Sequence, residues 1–278
     1  MHYEKFLPQK KLEPFIECYF VWQSLTDPVQ NMVVESPPTG FCSIVINTGS
    51  PYFLQNKKYD HLEVPAAFLA GQSIYSYKLL LNGRISMAGI VFKPSGISSL
   101  FNLPIYEFTE ERIDLYKIFK KADVDELFLS IKNEELSVEK ARLLEAFVLK
   151  NIEKYFPQPD SIDQAANKIV STNGMLNLNK LIEEVYMSRR NFERKFFKRI
   201  GLSPKYYARI RRMSYIGNLI AGKSTVDWPD VFYNCEYYDQ SHFIKDFIEF
   251  TGRTPQKYFE ENRELSRYVD KPTSKPLD

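Results

Sequence analysis

Two short runs of this chain carry side chains suited to directed hydrogen bonding along a helix face. The first holds Arg189, Arg190, Asn191, Glu193 and Arg194, and the second holds Gln240, Ser241, His242 and Lys245. Arginine offers a bidentate fork to guanine edges, asparagine suits adenine, and glutamate accepts from cytosine. The same residue types also cover the solvated face of many amphipathic helices, so one such run alone decides nothing.

Other chemistries find little to build on. The three histidines, at 2, 61 and 242, show neither HxH nor HExxH spacing, so a metal site has few ligands to draw on. There is no GxSxG, no P-loop and no GxGxxG, and therefore no nucleophile elbow or phosphate cradle. Cys18, Cys42 and Cys235 are an odd number, far apart, with no CxxC pair. They suit a reducing compartment rather than a disulfide scaffold, and Cys42 and Cys235, in aromatic or apolar stretches, read as small buried hydrophobes. Glu110-Glu111 and Glu183-Glu184 are neighbours on helical segments, hence on different faces, and read as solvated surface. The expectation is a protein without catalytic residues, metal or cofactor.

What lifts the two polar runs above background is an internal repeat. Ser188, Phe192, Arg194, Phe196, Gly201, Pro204 and Tyr207 are matched by Asp239, Phe243, Lys245, Phe247, Gly252, Pro255 and Tyr258, each pair 51 residues apart. Each matched position has a physical role. Ser188 and Asp239 are N-cap residues, whose side chains can accept orphan amide hydrogens. Phenylalanines at i,i+4 make a buried stripe. Gly201 and Gly252 stand where a left-handed residue ends a helix. Ser203-Pro204 and Thr254-Pro255 place a cap before proline at a first helical position. A short helix precedes each unit, over Leu178–Tyr186 and Val226–Cys235, and a longer one over Lys205–Gly222 separates the copies. A short helix, a tight turn and a second helix, twice, is a pair of helix-turn-helix units, whose second helices can enter the major groove.

The rest of the chain must position them. With 278 residues, 44% of them apolar and 26% charged, it is globular and long enough for about two domains. Up to about residue 95, aromatic and β-branched runs at Phe15–Gln23, Phe41–Asn47, Ala66–Leu69, Ser76–Leu81 and Ile85–Phe92 read as strands. Turn formers divide them, and Asn82-Gly83 carries a hairpin signal. From Gly96 the period becomes helical, through Ile113, Tyr116, Ile118 and Phe119, then Val124, Leu127, Phe128 and Ile131. Ser137–Tyr155 is an amphipathic helix with Val138, Ala141, Leu144, Val148, Ile152 and Tyr155 on one side. Pro157 and Pro159 then stop the helix and mark the domain boundary.

This gives an α+β fold of two domains. Residues 1–156 form an antiparallel β-barrel or sandwich with trailing helices, and 160–262 an all-α domain of two helix-turn-helix units joined by a long helix. Residues 263–278 are a tail, frayed from Asp270. Net charge is only +2, but Lys168 to Tyr258 holds sixteen Lys/Arg against nine Asp/Glu, a balance of +7, while residues 1–167 carry −4. The basic part is the candidate for polyanion contact. No apolar stretch approaches the ~18 residues of a membrane helix, and MHYEKFLPQKKLEPF reads as no secretion signal, so a cytoplasmic, membrane-free protein is expected.

Ser188–Tyr207 (SRRNFERKFFKRIGLSPKYY) and Tyr237–Tyr258 (YYDQSHFIKDFIEFTGRTPQKY) resemble the DNA-binding domain of AraC/XylS transcription regulators. Arg212, before MSYIGNLI, matches the helix that links the units in that family. The resemblance covers 160–262 and implies base reading by Arg190, Glu193 and Arg194 in the first unit and by Gln240, Ser241 and Lys245 in the second. It implies double-stranded DNA as partner and, for an activator rather than a repressor, RNA polymerase. Where the family places Ala in each first helix and Gly in each turn, this chain has Ile182 and Tyr186, then Phe232 and Glu236, and Ile216 replaces an Ala of the linker helix. The larger side chains must push the helices apart or be compensated by repacking, and the turns need another route to their backbone angles.

Ala88–Gly96 is similar to a strand exit in the β-barrel sensing domains of the same family. An interior rich in Tyr and Phe admits a small-molecule effector, although such aromatics equally fill cores. The stripe on Ser137–Tyr155 must pack on the barrel or on a second copy, which makes 137–155 the candidate homodimer contact. The competing reading is a β-barrel that binds a small molecule or protein, with the helical half an interaction module that does not read DNA.

Overall fold

The computed structural model describes residues 1–24, 28–152, 155–262 and 274–277. Eleven strands are described: β1 His2–Leu7, β2 Ile16–Gln23, β3 Val29–Ser36, β4 Cys42–Asn47, β5 Phe53–Gln55, β6 Leu62–Glu63, β7 Ala67–Ala70, β8 Tyr77–Gly83, β9 Ser86–Phe92, β10 Arg112–Asp114 and β11 Ser274–Pro276. They make two open sheets, ordered β10-β7-β4-β9-β2-β1-β11 and β3-β8-β5-β6. The architecture is therefore a sandwich. In its centre Ile44 stands opposite both Leu69 and Ile90, and Phe20 opposite Gly89.

Both faces of the larger sheet are covered, which explains why β4 and β9 are buried almost throughout instead of alternating. Trp22, Val45, Phe68 and Met87 meet Val34, Leu54 and Leu81 of the second sheet. Ile44, Ile46, Ala88, Ile90 and Phe92 face the opposite way, onto helices α1 Gly96–Phe101, α2 Lys121–Asn133 and α3 Ser137–Asn151.

Several expectations are revised. Asn82-Gly83 does not close a hairpin: β8 pairs with β3 and β5, whereas β9 pairs with β2 and β4. The chain changes sheet there. Gly83, at φ +100°, turns against Ser50, and a β-carbon on it would lie 2.3 Å from Ser50 Oγ. Ile113 is in a strand, paired with Leu69, and Tyr116 is in a single 3-10 turn, because the sheet edge takes precedence over the helical period. Glu110 is not solvated surface. It is buried at φ +65° and accepts from Tyr75 N at 3.2 Å and Asn56 Nδ2 at 2.7 Å, as well as from Ile74 N. Burial raises its carboxyl above the usual range. Of the tail, 263–273 and 278 lie outside the described residues, but Ser274–Pro276 is a strand rather than frayed. It pairs in parallel with β1, with Lys275 Nζ 2.8 Å from Glu4 Oε1, so the larger sheet is not purely antiparallel.

The stripe of α3 is consumed within its own chain. Ala141, Leu144 and Val148 are fully buried against the sheet, with Val138 and Ile152 at the margin; residues 153 and 154 lie outside the described residues, and Tyr155 is exposed. Glu145 fixes the helix by accepting from Gln9 N at 3.0 Å and Tyr19 Oη at 3.0 Å.

Between Pro159 and Asn262 the chain is helical: α4 Ser161–Ser171, α5 Leu178–Glu184, α6 Arg189–Ile200, α7 Pro204–Ile220, α8 Trp228–Asn234, α9 Gln240–Thr251 and α10 Pro255–Asn262. Asp160 caps α4 through Ile162 N and Asp163 N, and Asp163 returns the bond to Asp160 N at 2.8 Å. Ile162, Leu181, Phe192, Phe196, Tyr207, Ile216, Phe243, Phe247 and Phe259 share one core, into which α7 is sunk on most sides.

Candidate nucleic-acid interface

α5 with α6, and α8 with α9, are the two helix-turn-helix units. The stripe forms as the repeat implies: the Phe192 and Phe196 rings lie 5.6 Å apart and those of Phe243 and Phe247 5.7 Å, all buried. Gly201 and Gly252 end their helices in the left-handed region, at φ +86° and +73°. Asp239 caps α9 by accepting from His242 N at 2.7 Å. Ser188 occupies the equivalent N-cap position, but its side chain makes no capping bond.

The units are not identical. α6 and α9 start at Arg189 and Gln240, 51 residues apart, whereas α5 and α8 start at Leu178 and Trp228, 50 apart. The turn of the second unit, 235–239, is thus one residue longer than that of the first, 185–188. In both turns a non-glycine residue enters the left-handed region directly, Tyr186 at φ +50° and Glu236 at +54°. This is how the missing glycines are replaced. Ile182 and Phe232 are accommodated by standing half-buried at the rim of the core, Phe232 with its ring 6.3 Å from that of Phe243, while Ile216 is wholly buried.

On α6, Arg189, Arg190, Glu193 and Arg194 are exposed and Asn191 is half-buried. Arg189 Nε lies 3.1 Å from Glu193 Oε1, and Arg194 Nη2 donates to Asn191 Oδ1 at 3.0 Å. On α9, Gln240, Ser241, His242 and Lys245 are exposed. Asp246, on the same helix, faces inward. It is buried, taking Arg209 Nη2 at 2.7 Å and the Tyr237 hydroxyl at 3.2 Å. Burial works against the Arg209 charge, but its bonds to Asp246 and Glu249 hold it more firmly protonated than an ordinary arginine. Arg209 therefore rivets the linker helix α7 to α9. Arg212 spans the two units, with Nη2 3.4 Å from the Gly174 carbonyl and its guanidinium 5.0 Å above the Tyr237 ring.

Three arginines also tie this helical region to the sandwich. Arg199 of α6 donates to Ser99 Oγ at 2.7 Å, Asp163 Oδ1 at 3.2 Å and Asp160 Oδ2 at 2.9 Å. Arg211 of α7 donates to the Thr39 carbonyl and lies 4.3 Å above the Phe41 ring. Arg253, after α9, pairs with both oxygens of the buried Glu35 on β3 and with Glu261 at 2.6 Å. Glu35, Phe41 and Arg211 also line a cavity of about 520 Å³ bounded by strands of both sheets and by α7 and α10, together with Trp22, Met87 and Ser214.

Burial pushes the Cys18 and Cys42 thiols up to about 12 and that of Cys235 up to about 11, so none is a thiolate near neutral pH. Among the described residues no three His, Cys, Asp or Glu side chains are grouped to hold a metal ion, and no helix is long and apolar enough to cross a membrane.

Residues 181–261 match a family of helix-turn-helix domains, and residues 4–114 match a domain of unknown function (DUF6597). No curated protein matches the chain. Among solved structures, ToxT from Vibrio cholerae is 14% identical, with 86% of this chain and 98% of that chain covered and a TM-score of 0.45. ToxT bound to (E)-4-(8-methylnaphthalen-1-yl)but-3-enoic acid is 15% identical, with 86% and 98% covered and a TM-score of 0.46. The AraC-like transcriptional activator CuxR is 12% identical, with 76% and 93% covered and a TM-score of 0.30.

The paired units and the domain match over 181–261 define a DNA-binding transcription regulator. Residues 181–261 belong to that helix-turn-helix family, with two units in tandem as in the AraC-type regulators that the sequence resembles.

Proposed function

We propose that α6 and α9 read two successive major-groove segments on one face of a duplex, with Arg189, Arg190, Asn191, Glu193 and Arg194 at the first segment and Gln240, Ser241, His242 and Lys245 at the second. The observation that carries this reading is that eight of these nine side chains are exposed, on helices whose opposite faces are fixed by buried phenylalanine pairs. α7, of 17 residues, spans about 25 Å and separates the units on a rigid strut. One protomer should therefore protect a non-palindromic site of about two turns, roughly 20 base pairs. Footprinting on a site selected from random duplexes tests this, and protection confined to one groove segment would show that the second unit is not engaged.

On this reading residues 160–262 are the DNA-binding domain, and residues 1–156 respond to a signal and do no catalysis. A DNA target supports a cytoplasmic location, and as an activator the protein would also meet RNA polymerase. The cavity supports a small-molecule effector: its lining is largely aromatic and aliphatic, and it reaches Arg211 on the strut between the units. Trp22 lines it, so a compound seated there should shift Trp22 emission as well as raise the melting midpoint. A rise in midpoint with unchanged Trp22 emission would place the compound elsewhere. A homodimer through 137–155 would have to use the outer face of α3, around Arg142, Ala146 and Lys150, since the apolar stripe packs on its own sheet.

A further inference from the structure

Tyr186 and Tyr238 are 96% and 95% exposed, more than any other large hydrophobic side chain described. Both stand in the turns that lead into the reading helices, Tyr186 two residues before the N-cap Ser188 and Tyr238 one residue before the N-cap Asp239. Among the described residues neither hydroxyl has a hydrogen-bond partner. Tyr186 moreover sits at φ +50°, where a side chain strains the backbone and glycine does not. A bulky residue in a strained position, with its side chain almost wholly in solvent, has no folding role to explain it. Tyr238 owes its place to the extra residue of the second turn.

We propose that Tyr186 and Tyr238 are phosphate contacts, their hydroxyls donating to backbone oxygens of the duplex at the groove edge beside α6 and α9. The proposal rests on the reading of those two helices as the DNA face. A tyrosine hydroxyl is a ready phosphate donor, and its ring covers sugar with little entropy to lose. The need is plainest in the second unit. There Lys245 is the one exposed lysine or arginine described on α9, and the exposed acids Glu236 and Asp239 precede it. A neutral donor holds phosphate there without displacing counterions, so its contribution does not depend on salt.

The test measures affinity of the full chain for its selected site and for a random duplex at several salt concentrations. Tyr186→Phe and Tyr238→Phe remove one oxygen each and should weaken both duplexes roughly 3- to 10-fold with the salt slope unchanged. Tyr155→Phe, at another highly exposed tyrosine, should bind as the wild type does. Tyr186→Gly should lose affinity while its melting midpoint does not fall, because left-handed strain is relieved. If both phenylalanine variants match a wild type that binds DNA, the tyrosine contacts are wrong and the base reading stands. If DNA affinity holds but promoter output with RNA polymerase falls, the exposed rings serve the polymerase and the proposal is overturned. A wild type that binds no duplex overturns the base reading, and this inference with it.

Discussion

Asp246→Ala should destabilise the second helix-turn-helix unit by about 3 kcal/mol, close to the range for removing one partner of a buried ion pair. The Asp246 side chain is 2% exposed and faces Arg209, which is itself only a quarter exposed. Removal would leave the Tyr237 hydroxyl without its acceptor and the guanidinium with Glu249 alone at the rim. Burial, and then the Asp246 charge, push the Tyr237 phenol up, so it remains a donor at any working pH. Asp246→Asn keeps an acceptor for Tyr237 and should cost less. Urea unfolding measures both, and a loss below about 0.5 kcal/mol for the alanine variant would mean that the pair is not a structural tie. Because Arg209 lies on α7, the lost tie should also loosen the spacing of the units and blur the footprint over the second groove segment.

Asp246 also shows where sequence reading stops. The repeat pairs Phe243 with Phe247, and Asp246 lies three positions after the first and four before the buried Phe250. That spacing places it on the buried face, so the helical period itself held the clue. Its charge points the other way, because a lone acid usually faces solvent, and the arginine that pairs with it sits on a different helix. The repeat, the glycine C-caps and the proline starts were legible because each is a local rule met twice. The longer second turn was not, since the 51-residue register of the reading helices hides the 50-residue register of the helices before them. In the sandwich, runs such as 42–47 and 86–92 read as strands from composition, but pairing is non-local, and β1, β3 and β11 acquire their identity from their neighbours. Asn82-Gly83 carried the right turn chemistry for a hairpin that the sheet order refuses. The ties between the sandwich and the helices, such as Arg253 to Glu35 across 218 positions, leave no trace in any local pattern.

The two reading helices should prove unequal in what they recognise. α6 presents Arg189, Arg190 and Arg194 with Glu193 as its one outward acid, and the bond from Arg194 to Asn191 holds that fork beside the groove face. α9 presents Gln240, Ser241 and His242 with a single Lys245, and the burial of Asp246 leaves that set less acidic than its composition suggests. Arginine is a rigid bidentate donor, whereas lysine is a flexible point charge that serves phosphates well. Arg194→Ala should cost about 1–3 kcal/mol at the selected site and relax preference at one base position. Lys245→Ala should weaken all duplexes alike and lower the salt slope by about one contact. Either change removes a positive charge, so affinity alone does not separate them. The deciding quantity is the ratio of specific to random-site affinity, measured for both variants at one salt concentration. It should collapse for Arg194→Ala and hold for Lys245→Ala. An equal fall in both would mean that α9 reads bases as closely as α6, with Lys245 reaching a base edge rather than the backbone beside it.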